Sequence, residues 1–419
     1  MTNVMIWPDV HREDGHFMPA ITLAKSLHDA TYSVRMMGIP DTEPVVSPYQ
    51  IPFTTILQNI YPPGSALARL EDGKSHLQHL TPIARGELDS IFAAADKPDV
   101  LVAGYFASLE ALMIHHKYNV PLVILTTFLR HPDTTPSSFA ASTLLSLPEG
   151  LVRRLFELTG QSSLMEIEDY VAPLDAAKEM IPMAEQFDFD DLDFEHPDRV
   201  IYVEPMIERL ALDGSTPTAP PPVYYPVVPP STGVLFGACG SQVEVFEDSA
   251  RAFFENLIEM MKSPEMGNRH LVLSLGQKLF GEFQRRYTPQ GGNGTSRIPS
   301  NVTLAPWVPQ MDILATADAA FIHGGLATIK ESIWSGVPLI VTPMVNDQFD
   351  NALRIRERDL GLVVTLEKMT PSSLRAALQA ATTSPWYLRA VSEMRQLFLD
   401  EENRTPKRSV ELLQTVQVP

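Results

Sequence analysis

The sequence predicts an α/β fold in which two doubly wound domains each hold a parallel sheet between layers of helices. Short apolar runs alternate with helical patterns along most of the chain, and this alternation is typical of parallel sheets. A proline-rich segment divides the chain near its middle. The length of 419 residues is more than one ordinary core accommodates and suits two domains of about 200 residues each.

The first half of the chain is predicted to supply one of these domains. Residues 108–118 carry a helical pattern between two apolar runs, and this β-α-β unit implies a parallel sheet. Pro19 opens an earlier amphipathic helix in its first turn, where a proline is tolerated. The predicted strands are residues 4–7, 99–103 and 121–125, and the other helical stretches are residues 19–27, about 150–160 and about 164–181.

Residues 207–232 are too rich in proline for a regular helix or a central strand, so we predict an extended linker. The linker separates an N-terminal domain, residues 1–206, from a C-terminal domain, residues 233–384. The tail, residues 385–419, is predicted to be helical and to pack back on the N-terminal domain. Two Rossmann-like domains are expected to face a central cleft at the carboxyl ends of their strands, where open α/β sheets bind ligands. The predicted strands of the second domain are residues 233–236, 270–275, 302–304, 319–322 and 339–341, with a helix near 246–262.

Composition and charge exclude several classes of partner and location. The net charge of −19 argues against nucleic acid or an anionic membrane surface as a partner. No apolar run reaches the roughly 18 residues of a membrane-spanning helix. The N-terminus lacks the basic start and apolar block of a signal peptide. The single cysteine, Cys239, precludes an internal disulfide and is typical of the cytoplasm, where we expect the protein to act.

The most informative segment is residues 307–352, and its centre is a His-Gly-Gly turn at residues 323–325. An apolar strand enters this turn and a helix leaves it. Glycines let the backbone approach a phosphate closely, and the free N–H groups at the start of a helix attract anions. Thr328 lies in the first turn of that helix. Glu331 follows on the same helix and offers a carboxylate, which accepts hydrogen bonds from ribose hydroxyls.

Two further groups flank this turn in the sequence. Trp307 precedes it in the sequence WVPQ and offers an aromatic face on which a pyrimidine base can stack. Asp347 and Gln348 follow a predicted strand, at the carboxyl end of the sheet, where they can bind sugar hydroxyls. The ordered set of groups therefore predicts a site for an activated nucleotide sugar.

In these residues the chain resembles the family 1 glycosyltransferases, the UDP-glycosyltransferase superfamily, whose fold is GT-B. Ala327 stands where plant members usually carry asparagine, so the turn is more similar to that of bacterial glycosyltransferases of macrolides, polyketides and carotenoids. Weaker likeness extends over nearly the whole chain, in GHFMPAITLAKSL at residues 15–27, IYVEP at 201–205 and FGACGS at 236–241.

The resemblance implies a role for each residue of the nucleotide-sugar site. Trp307 stacks on uracil or thymine, and the backbone of Val308 pairs with the base. The family uses the helix dipole and a histidine to offset the diphosphate charge, so the resemblance implies no metal and no cofactor besides the sugar nucleotide. The other implied contacts are Gln310 and Glu331 to the ribose, Ser241, His323, Gly325 and Thr328 to the diphosphate, and Asp347 and Gln348 to the transferred sugar.

The resemblance also implies a catalytic base. In inverting members an N-terminal histidine takes the proton from an acceptor hydroxyl while that oxygen attacks the anomeric carbon, and neutral imidazole suits this task. The matching residue is His16, in the loop predicted after the first strand; His11 in the same loop is a weaker candidate. The aspartate that orients the histidine in the family is replaced by Gly104. Three explanations stay open. Another acid takes the place of this aspartate, or an acidic acceptor needs less help from the base, or sugar transfer is slow or lost. The acids nearest in sequence are Glu13, Asp14 and Glu110.

The resulting hypothesis is an inverting glycosyltransferase that moves a hexose or deoxyhexose from a UDP- or TDP-sugar to a hydroxyl of a small hydrophobic natural product. One alternative is a catalytically weak or inactive member that serves as a binding or auxiliary protein. Another is a GT-B sugar-nucleotide epimerase, which the tryptophan and the Asp-Gln pair disfavour. Monomer and homodimer both stay open. The expected acceptor contacts are Phe17, Tyr105, Phe128 and Met165.

Overall fold

The chain divides into two compact units in a computed structural model that describes residues 2–65, 77–94, 97–207, 232–240, 243–287 and 298–416. Nearly all of the predicted linker, residues 207–232, lies outside these described residues. Among the helices that are described, none is both long and apolar enough to span a bilayer. Unit 1 comprises Met1–Glu185, Asp190–Glu208 and Glu401–Pro419, and unit 2 comprises Gln186–Phe189 and Arg209–Asp400.

Unit 1 contains a seven-stranded sheet with helices packed against it. Its strands are β1 Asn3–Trp7, β2 Ser33–Gly38, β3 Phe53–Thr55, β4 Val100–Gly104, β5 Leu122–Leu125, β6 Lys178–Pro182 and β7 Val200–Val203. The order is β3-β2-β1-β4-β5-β6-β7 and every pair is parallel. The helices are α1 Asp14–Asp29, α2 Glu43–Val46, α3 Leu80–Arg85, α4 Asp89–Phe92, α5 Ser108–Tyr118, α6 Pro136–Leu145, α7 Glu149–Leu158 and α8 Ile167–Ala176.

Strand β4 is apolar throughout because it is buried on both faces of the sheet. Leu101 and Ala103 belong to one hydrophobic core, and Val100 and Val102 belong to the other. Side chains alternate between the faces of a strand, so a central strand buried on both faces needs apolar residues at every position. The order of the sheet reverses between β1 and β4, and ligands bind outside the carboxyl ends of the strands at such a point.

Two predicted helix boundaries are wrong in unit 1. The stretch predicted as helical to residue 181 ends at Ala176, and Lys178–Pro182 form β6 because pairing with β5 and β7 overrides the local helical pattern. Helix α1 begins at Asp14 and therefore contains Pro19 in its interior. Proline lacks the N–H that would bond the carbonyl of Gly15, and the helix tolerates this loss near its start.

Unit 2 contains a second parallel sheet with the same topology. Its strands are β8 Gly233–Ala238, β9 Arg269–Ser274, β10 Val302–Ala305, β11 Ala317–Ile322, β12 Leu339–Val341 and β13 Gly361–Val363. Their order is β10-β9-β8-β11-β12-β13, so the reversal lies between β8 and β11. The helices are α9 Glu247–Met260, α10 Gln277–Tyr287, α11 Gln310–Leu314, α12 Leu326–Ser335, α13 Gln348–Glu357, α14 Pro371–Thr383 and α15 Pro385–Asn403.

The C-terminal helix, α16 (Arg408–Gln414), packs within unit 1. Val410 and Leu413 are buried in the core that α1 helps to form. Glu204 is fully buried just after β7, and it accepts hydrogen bonds from the backbone N–H of Ser409, at 3.2 Å, and from the Ser409 hydroxyl. Glu204 therefore caps the start of this helix.

Gly104, at the end of β4, lies against the backbone that follows β1. A Cβ atom at Gly104 would be only 1.7 Å from the carbonyl oxygen of Pro8. Backbone atoms of a central strand cannot withdraw by that much, so this position excludes every side chain, including an aspartate.

We predict that Gly104→Ala lowers the free energy of unfolding by about 1–3 kcal/mol because the added methyl group collides with the Pro8 carbonyl. Gly150→Ala is the matched control, since a Cβ there meets nothing within 4 Å and alanine is a better helix former than glycine. Urea denaturation measures both variants. Equal stabilities would contradict the close approach at Gly104.

Candidate active site

The first candidate site is formed by His16 and Asp9 of unit 1. His16 is the third residue of α1, in a helical turn rather than in the predicted loop. Its Nδ1 atom lies 2.6 Å from Oδ2 of Asp9, and the two side chains are 19% and 11% exposed. An ionised carboxylate only accepts hydrogen bonds, so Nδ1 donates its proton to Asp9. The lone pair of a neutral imidazole is then on Nε2, where it can accept a proton.

Sequence reasoning missed Asp9 and considered three other acids. Asp9 follows β1 by two residues, at the carboxyl end of the sheet, and this position was the available signal. Each acid considered has a different partner. Glu13 accepts from the backbone N–H of Gly15, Asp14 pairs with Arg12 and Glu110 pairs with His79.

An aromatic cluster adjoins His16. The ring of Phe106 stacks on His16 with a centroid distance of 5.2 Å, and it stacks on Phe128 at 5.5 Å. Phe139 meets Phe106 edge to face at 5.5 Å. Phe106 is 42% exposed, a high value for phenylalanine, and therefore offers part of its ring to a ligand. Sequence reasoning did not select Phe106.

A cavity of about 360 Å³ lies beside this cluster, within the size range of small-molecule sites. Asp9 lines it, so the cavity is in contact with the carboxylate that pairs with His16. His11 also lines it, while its ring packs edge to face on Tyr61 and its backbone N–H donates to Asp9. The other lining residues that bear on its chemistry are Leu77, His79, Phe106, Leu109, Glu110 and Phe139.

The predicted acceptor contacts are not among the residues that line this cavity. Phe17 is wrong as a contact residue because it is fully buried in a core of unit 1. Tyr105 is 6% exposed and donates its hydroxyl to the carbonyls of Thr134 and Thr135, and burial raises its pKa to about 12. Phe128 and Met165 are half-buried and pack against the core behind the cavity. Tyr105 and Phe128 support Phe106 from behind rather than face the cavity.

The second candidate site lies at the carboxyl ends of β8 and β11, where the sheet of unit 2 reverses. His323 ends the strand and is 7% exposed. Burial lowers its pKa to about 4, and a hydrogen bond with the backbone of Ala238 opposes this shift in part. The imidazole is therefore neutral at pH 7 and can donate one hydrogen bond. A Cβ at Gly325 would lie 2.5 Å from its Nε2 atom, so glycine at this position makes room for the imidazole.

The start of α12 faces the same turn. Gly325 caps this helix without a side-chain hydrogen bond to the free N–H groups, and the side chain of Thr328 is buried in the first turn. Such a helix start carries a partial positive charge that suits a phosphate. Within the described ranges, no group of three or more His, Cys, Asp or Glu side chains is arranged to hold a metal ion.

The two residues predicted to hold a ribose, Gln310 and Glu331, are in direct contact. The amide of Gln310, at the start of α11, donates a hydrogen bond to the Glu331 carboxylate, and it lies 3.4 Å from the hydroxyl of Thr328. Burial raises the pKa of Glu331 from its ordinary value of 4.5 to about 7, while the amide and the neighbouring Lys330 lower it in part. Hydroxyl groups that donate to this carboxylate would favour its ionised form.

The predicted sugar pair lies at the start of α13. Gln348 is buried and its Oε1 atom accepts from the backbone N–H groups of Met344, at 2.9 Å, and Val345, at 3.1 Å. The Nε2 group consequently points the other way, where it can donate to a ligand hydroxyl. Burial raises the pKa of Asp347, and a hydrogen bond from Asn351 opposes the shift.

Asn351, which sequence reasoning did not select, connects the two loops of this site. Its Nδ2 group donates to Oδ2 of Asp347 and to the carbonyl of Gly324, each at 3.0 Å. Its Oδ1 atom accepts from Arg354 at 3.3 Å, and Arg354 in turn donates to Asp188 at 2.7 Å. Asn351 is fully buried, so it has no contact with a ligand and acts by holding the loops together.

Three further predicted residues complete the set. Trp307 is half-buried, two residues after β10, on the same edge of the sheet as His323. The side chain of Val308 is 9% exposed, which leaves its backbone as the part that can read a base. Ser241 lies outside the described residues.

Comparison with known proteins shows a similar sequence over part of the chain and a similar fold over nearly all of it. Residues 274–410 match the sequence profile described as UDP-glucoronosyl and UDP-glucosyl transferase, and this range contains every described donor-site residue named above. The solved structure of the glycotransferase of kitacinnamycin superposes with a TM-score of 0.73 at 21% identity, over 99% of this chain and 98% of that one. Residues 274–410 are therefore similar to the UDP-glycosyltransferase family. The chain has the GT-B fold, with a parallel sheet in each of its two units.

Individual proteins are similar to this chain to different extents. NDP-glycosyltransferase YjiC of Bacillus subtilis (strain 168) is 37% identical over 99 residues, which are 24% of this chain and 25% of that protein. The chain therefore spans about a quarter of the length of the curated relatives it matches. The solved structure of glycosyltransferase VinC in complex with dTDP is similar in fold, with a TM-score of 0.65 at 16% identity over 99% of this chain and 98% of that one.

Glu331 is predicted to make the stability of the protein depend on pH. Its pKa is about 7 in the folded protein against 4.5 ordinarily, so between these values the folded state holds a proton that the unfolded chain releases. The free energy of unfolding should fall as pH rises from about 5 to 7, by up to about 1.4 kcal/mol per pH unit from this group, and Glu331→Gln should remove that slope. Glu357→Gln, on the exposed side of α13, is the control and should keep it. Urea denaturation across this pH range measures it, and identical slopes in wild type and Glu331→Gln would refute the assignment.

Proposed function

We propose that the protein is an inverting glycosyltransferase. It transfers a hexose or deoxyhexose from a UDP- or TDP-sugar to a hydroxyl group of a small hydrophobic acceptor. The observation that carries this proposal is the 2.6 Å contact between His16 Nδ1 and Asp9 Oδ2. This pair is an oriented base, and it adjoins both a cavity of ligand size and an exposed aromatic ring, that of Phe106.

The chemistry follows from the tautomer of His16. Nε2 accepts the proton of the acceptor hydroxyl while the hydroxyl oxygen forms a bond to the anomeric carbon. The bond from that carbon to the diphosphate breaks, and the nucleoside diphosphate leaves with the bonding electrons. Attack from the side opposite the leaving group inverts the configuration at the anomeric carbon. Asp9 stabilises the imidazolium that forms and keeps the ring in its productive orientation.

The residues of unit 2 are proposed to hold the donor. Stacking on Trp307 and the backbone of Val308 bind the base, and Gln310 and Glu331 bind the ribose. The N–H groups at the start of α12 donate hydrogen bonds to the diphosphate, whose negative charge grows as the glycosidic bond breaks, and His323 is a proposed contact beside them. The sugar hydroxyls contact Asp347 and Nε2 of Gln348. Ser241, Gly325 and Thr328 are proposed diphosphate contacts.

The resemblance of the fold supports the substrate class. A protein of kitacinnamycin biosynthesis and a dTDP complex are among the solved structures with this fold, which supports a natural-product acceptor and makes a TDP-sugar a donor to test first. No metal or further cofactor is proposed, and the buried Cys239 suits the cytoplasm, where we propose that the reaction occurs.

The auxiliary-protein alternative loses its main motive. That hypothesis depended on Gly104, where the family's orienting aspartate is missing. Asp9 offers a carboxylate to the same histidine from a different element, so the missing residue no longer argues for weak catalysis. A sugar-nucleotide epimerase would not need an oriented base beside an acceptor cavity. The pair of His16 and Asp9 therefore disfavours the epimerase alternative.

We predict that His16→Ala lowers kcat/KM by about 10²–10⁴-fold because it removes the base. Asp9→Asn should lower it by up to about 10⁴-fold, since asparagine favours the wrong tautomer of the imidazole. Release of UDP or TDP in the presence of an acceptor panel measures transfer, and calorimetric titration with the nucleotide diphosphate measures donor binding. Both variants should bind the nucleotide as the wild type does.

Asp14→Asn is the matched control for this experiment, because Asp14 lies in the same segment and pairs with Arg12 at the surface. It should keep full activity. Wild-type rates in Asp9→Asn would refute the role of Asp9, and a wild type that binds nucleotide without transferring sugar would favour the auxiliary protein.

Trp307→Ala is predicted to weaken binding of UDP or TDP by about 1–3 kcal/mol because a stacking face is lost. Trp307→Phe should recover part of the affinity. Trp386→Ala is the control, since this tryptophan of α15 is 65% exposed and donates to Asp359. Isothermal titration measures the affinities. Unchanged binding in Trp307→Ala would show that the base is held elsewhere.

A further inference from the structure

The wall of the acceptor cavity contains a buried chain of three polar side chains. The hydroxyl of Tyr61 lies 2.8 Å from Nδ1 of His79, and Nε2 of His79 lies 2.6 Å from Oε1 of Glu110. The side chains of His79 and Glu110 are 1% and 5% exposed. Both residues line the cavity.

The hydrogen bonds among Tyr61, His79 and Glu110 run in one consistent direction. Glu110 as a carboxylate accepts from the Nε2–H group of His79, and the opposite nitrogen of the neutral imidazole accepts from the Tyr61 hydroxyl. His79 is thereby satisfied at both nitrogens. The chain as a whole carries the negative charge of Glu110, so a hydrogen-bond donor would be attracted to it.

The second oxygen of Glu110, Oε2, is buried and has no hydrogen-bond partner within the described part of the chain. Burying an unpartnered carboxylate oxygen is unfavourable, and proteins rarely retain one without a reason. The contact with His79 accounts for Oε1 only.

Two of the hydroxyl groups that line the cavity already donate to backbone carbonyls. Thr143 donates to the carbonyl of Phe139 at 3.0 Å, and Ser146 donates to the carbonyl of Thr143 at 2.7 Å. Most of the remaining wall is apolar, with Leu77 and Leu109 beside the aromatic rings. The carboxylate of Glu110 is therefore a hydrogen-bond acceptor in an otherwise largely apolar part of the cavity.

We propose that Glu110 anchors the acceptor by accepting a hydrogen bond from a hydroxyl or ammonium group that lies away from the hydroxyl to be glycosylated. The acceptor is thus an apolar or aromatic body with two polar groups, one for His16 and one for Glu110. This inference rests on the proposed function, because it treats the cavity as the acceptor site. A carbonyl, ether or carboxylate group at the second position is disfavoured, since it would face the carboxylate with another acceptor atom.

Three naphthols test the proposal because they share one aromatic body and differ at the second position. At the second position, 2,6-dihydroxynaphthalene offers a hydrogen-bond donor and 6-methoxy-2-naphthol offers a hydrogen-bond acceptor. The third compound, 2-naphthol, has no polar group there. Titration calorimetry gives the Kd of each, and nucleotide release gives kcat/KM. In the wild type we expect the dihydroxy compound to be favoured over the methoxy compound by at least about tenfold in both quantities, as for a hydrogen bond to a charged group.

Glu110→Gln supplies the decisive comparison. The glutamine oxygen can keep the bond from His79, which leaves an NH₂ group, a donor, at the place of Oε2. The preference should therefore reverse, with the methoxy compound favoured over the dihydroxy compound, while 2-naphthol changes little. Glu87→Gln, the same change on the exposed surface of unit 1, should keep the wild-type order. Thermal unfolding followed by circular dichroism verifies that both variants fold.

The outcomes separate this inference from the proposed function. Equal affinities of the wild type for the dihydroxy and methoxy compounds would overturn the role of Glu110 even if sugar is transferred to both, and this measurement needs no variant. Discrimination in Kd without any nucleotide release would support the anchor and contradict the glycosyltransferase. Loss of discrimination in Glu87→Gln as well would also overturn the assignment to Glu110.

Discussion

The contact between the Pro8 carbonyl and Gly104 decides how the first site of this protein is built. Strands β1 and β4 are neighbours at the point where the sheet reverses, and the chain leaving β1 passes directly over the end of β4. This close approach removes any side chain from the end of β4. It also carries the next residue, Asp9, to within 2.6 Å of the His16 imidazole. The path of the backbone after β1 therefore excludes a carboxylate at the end of β4 and supplies one, that of Asp9, from the segment after β1. The cavity lies beside Asp9, so its position depends on the same path.

Burial of His323 and Glu331 away from water determines the charge of the second site. Burial keeps His323 neutral and raises the pKa of Glu331 to about 7, so neither group carries its full charge at neutral pH. A bound nucleotide sugar would replace the missing water with hydroxyl and phosphate groups, and the site is organised to interact with a polar ligand rather than with bulk solvent. Asn351 holds the turn at Gly324 and the loop at Asp347 in one arrangement through its two N–H groups.

Much of the fold and of the second site could be predicted from the sequence, because both depend on local patterns. Alternating apolar runs indicated the parallel strands, and the order of Trp307, His323, Glu331 and Asp347 lies within one short segment. The first site could be predicted only in part. His16 was found through a resemblance, whereas Asp9, Phe106 and Glu110 acquire their roles from strands and helices that meet in three dimensions. Phe17 and Tyr105 were wrongly expected to face a ligand, since aromatic composition does not distinguish a core ring from an exposed one. Residues 178–181 were wrongly expected to be helical because a strand in the interior of a sheet is specified by its neighbours.

The pairing of His16 with Asp9 has a consequence for how this protein can change. The proposed base and its carboxylate partner are seven residues apart in a single continuous segment, rather than on two strands that are far apart in the sequence. Recombination or loop exchange at the N-terminus would transfer both groups together, with their geometry intact. The walls of the acceptor cavity come from other segments, those around residues 77–79, 106–110 and 139–146. Acceptor preference can therefore diverge in those segments while the proton-transfer unit is inherited whole.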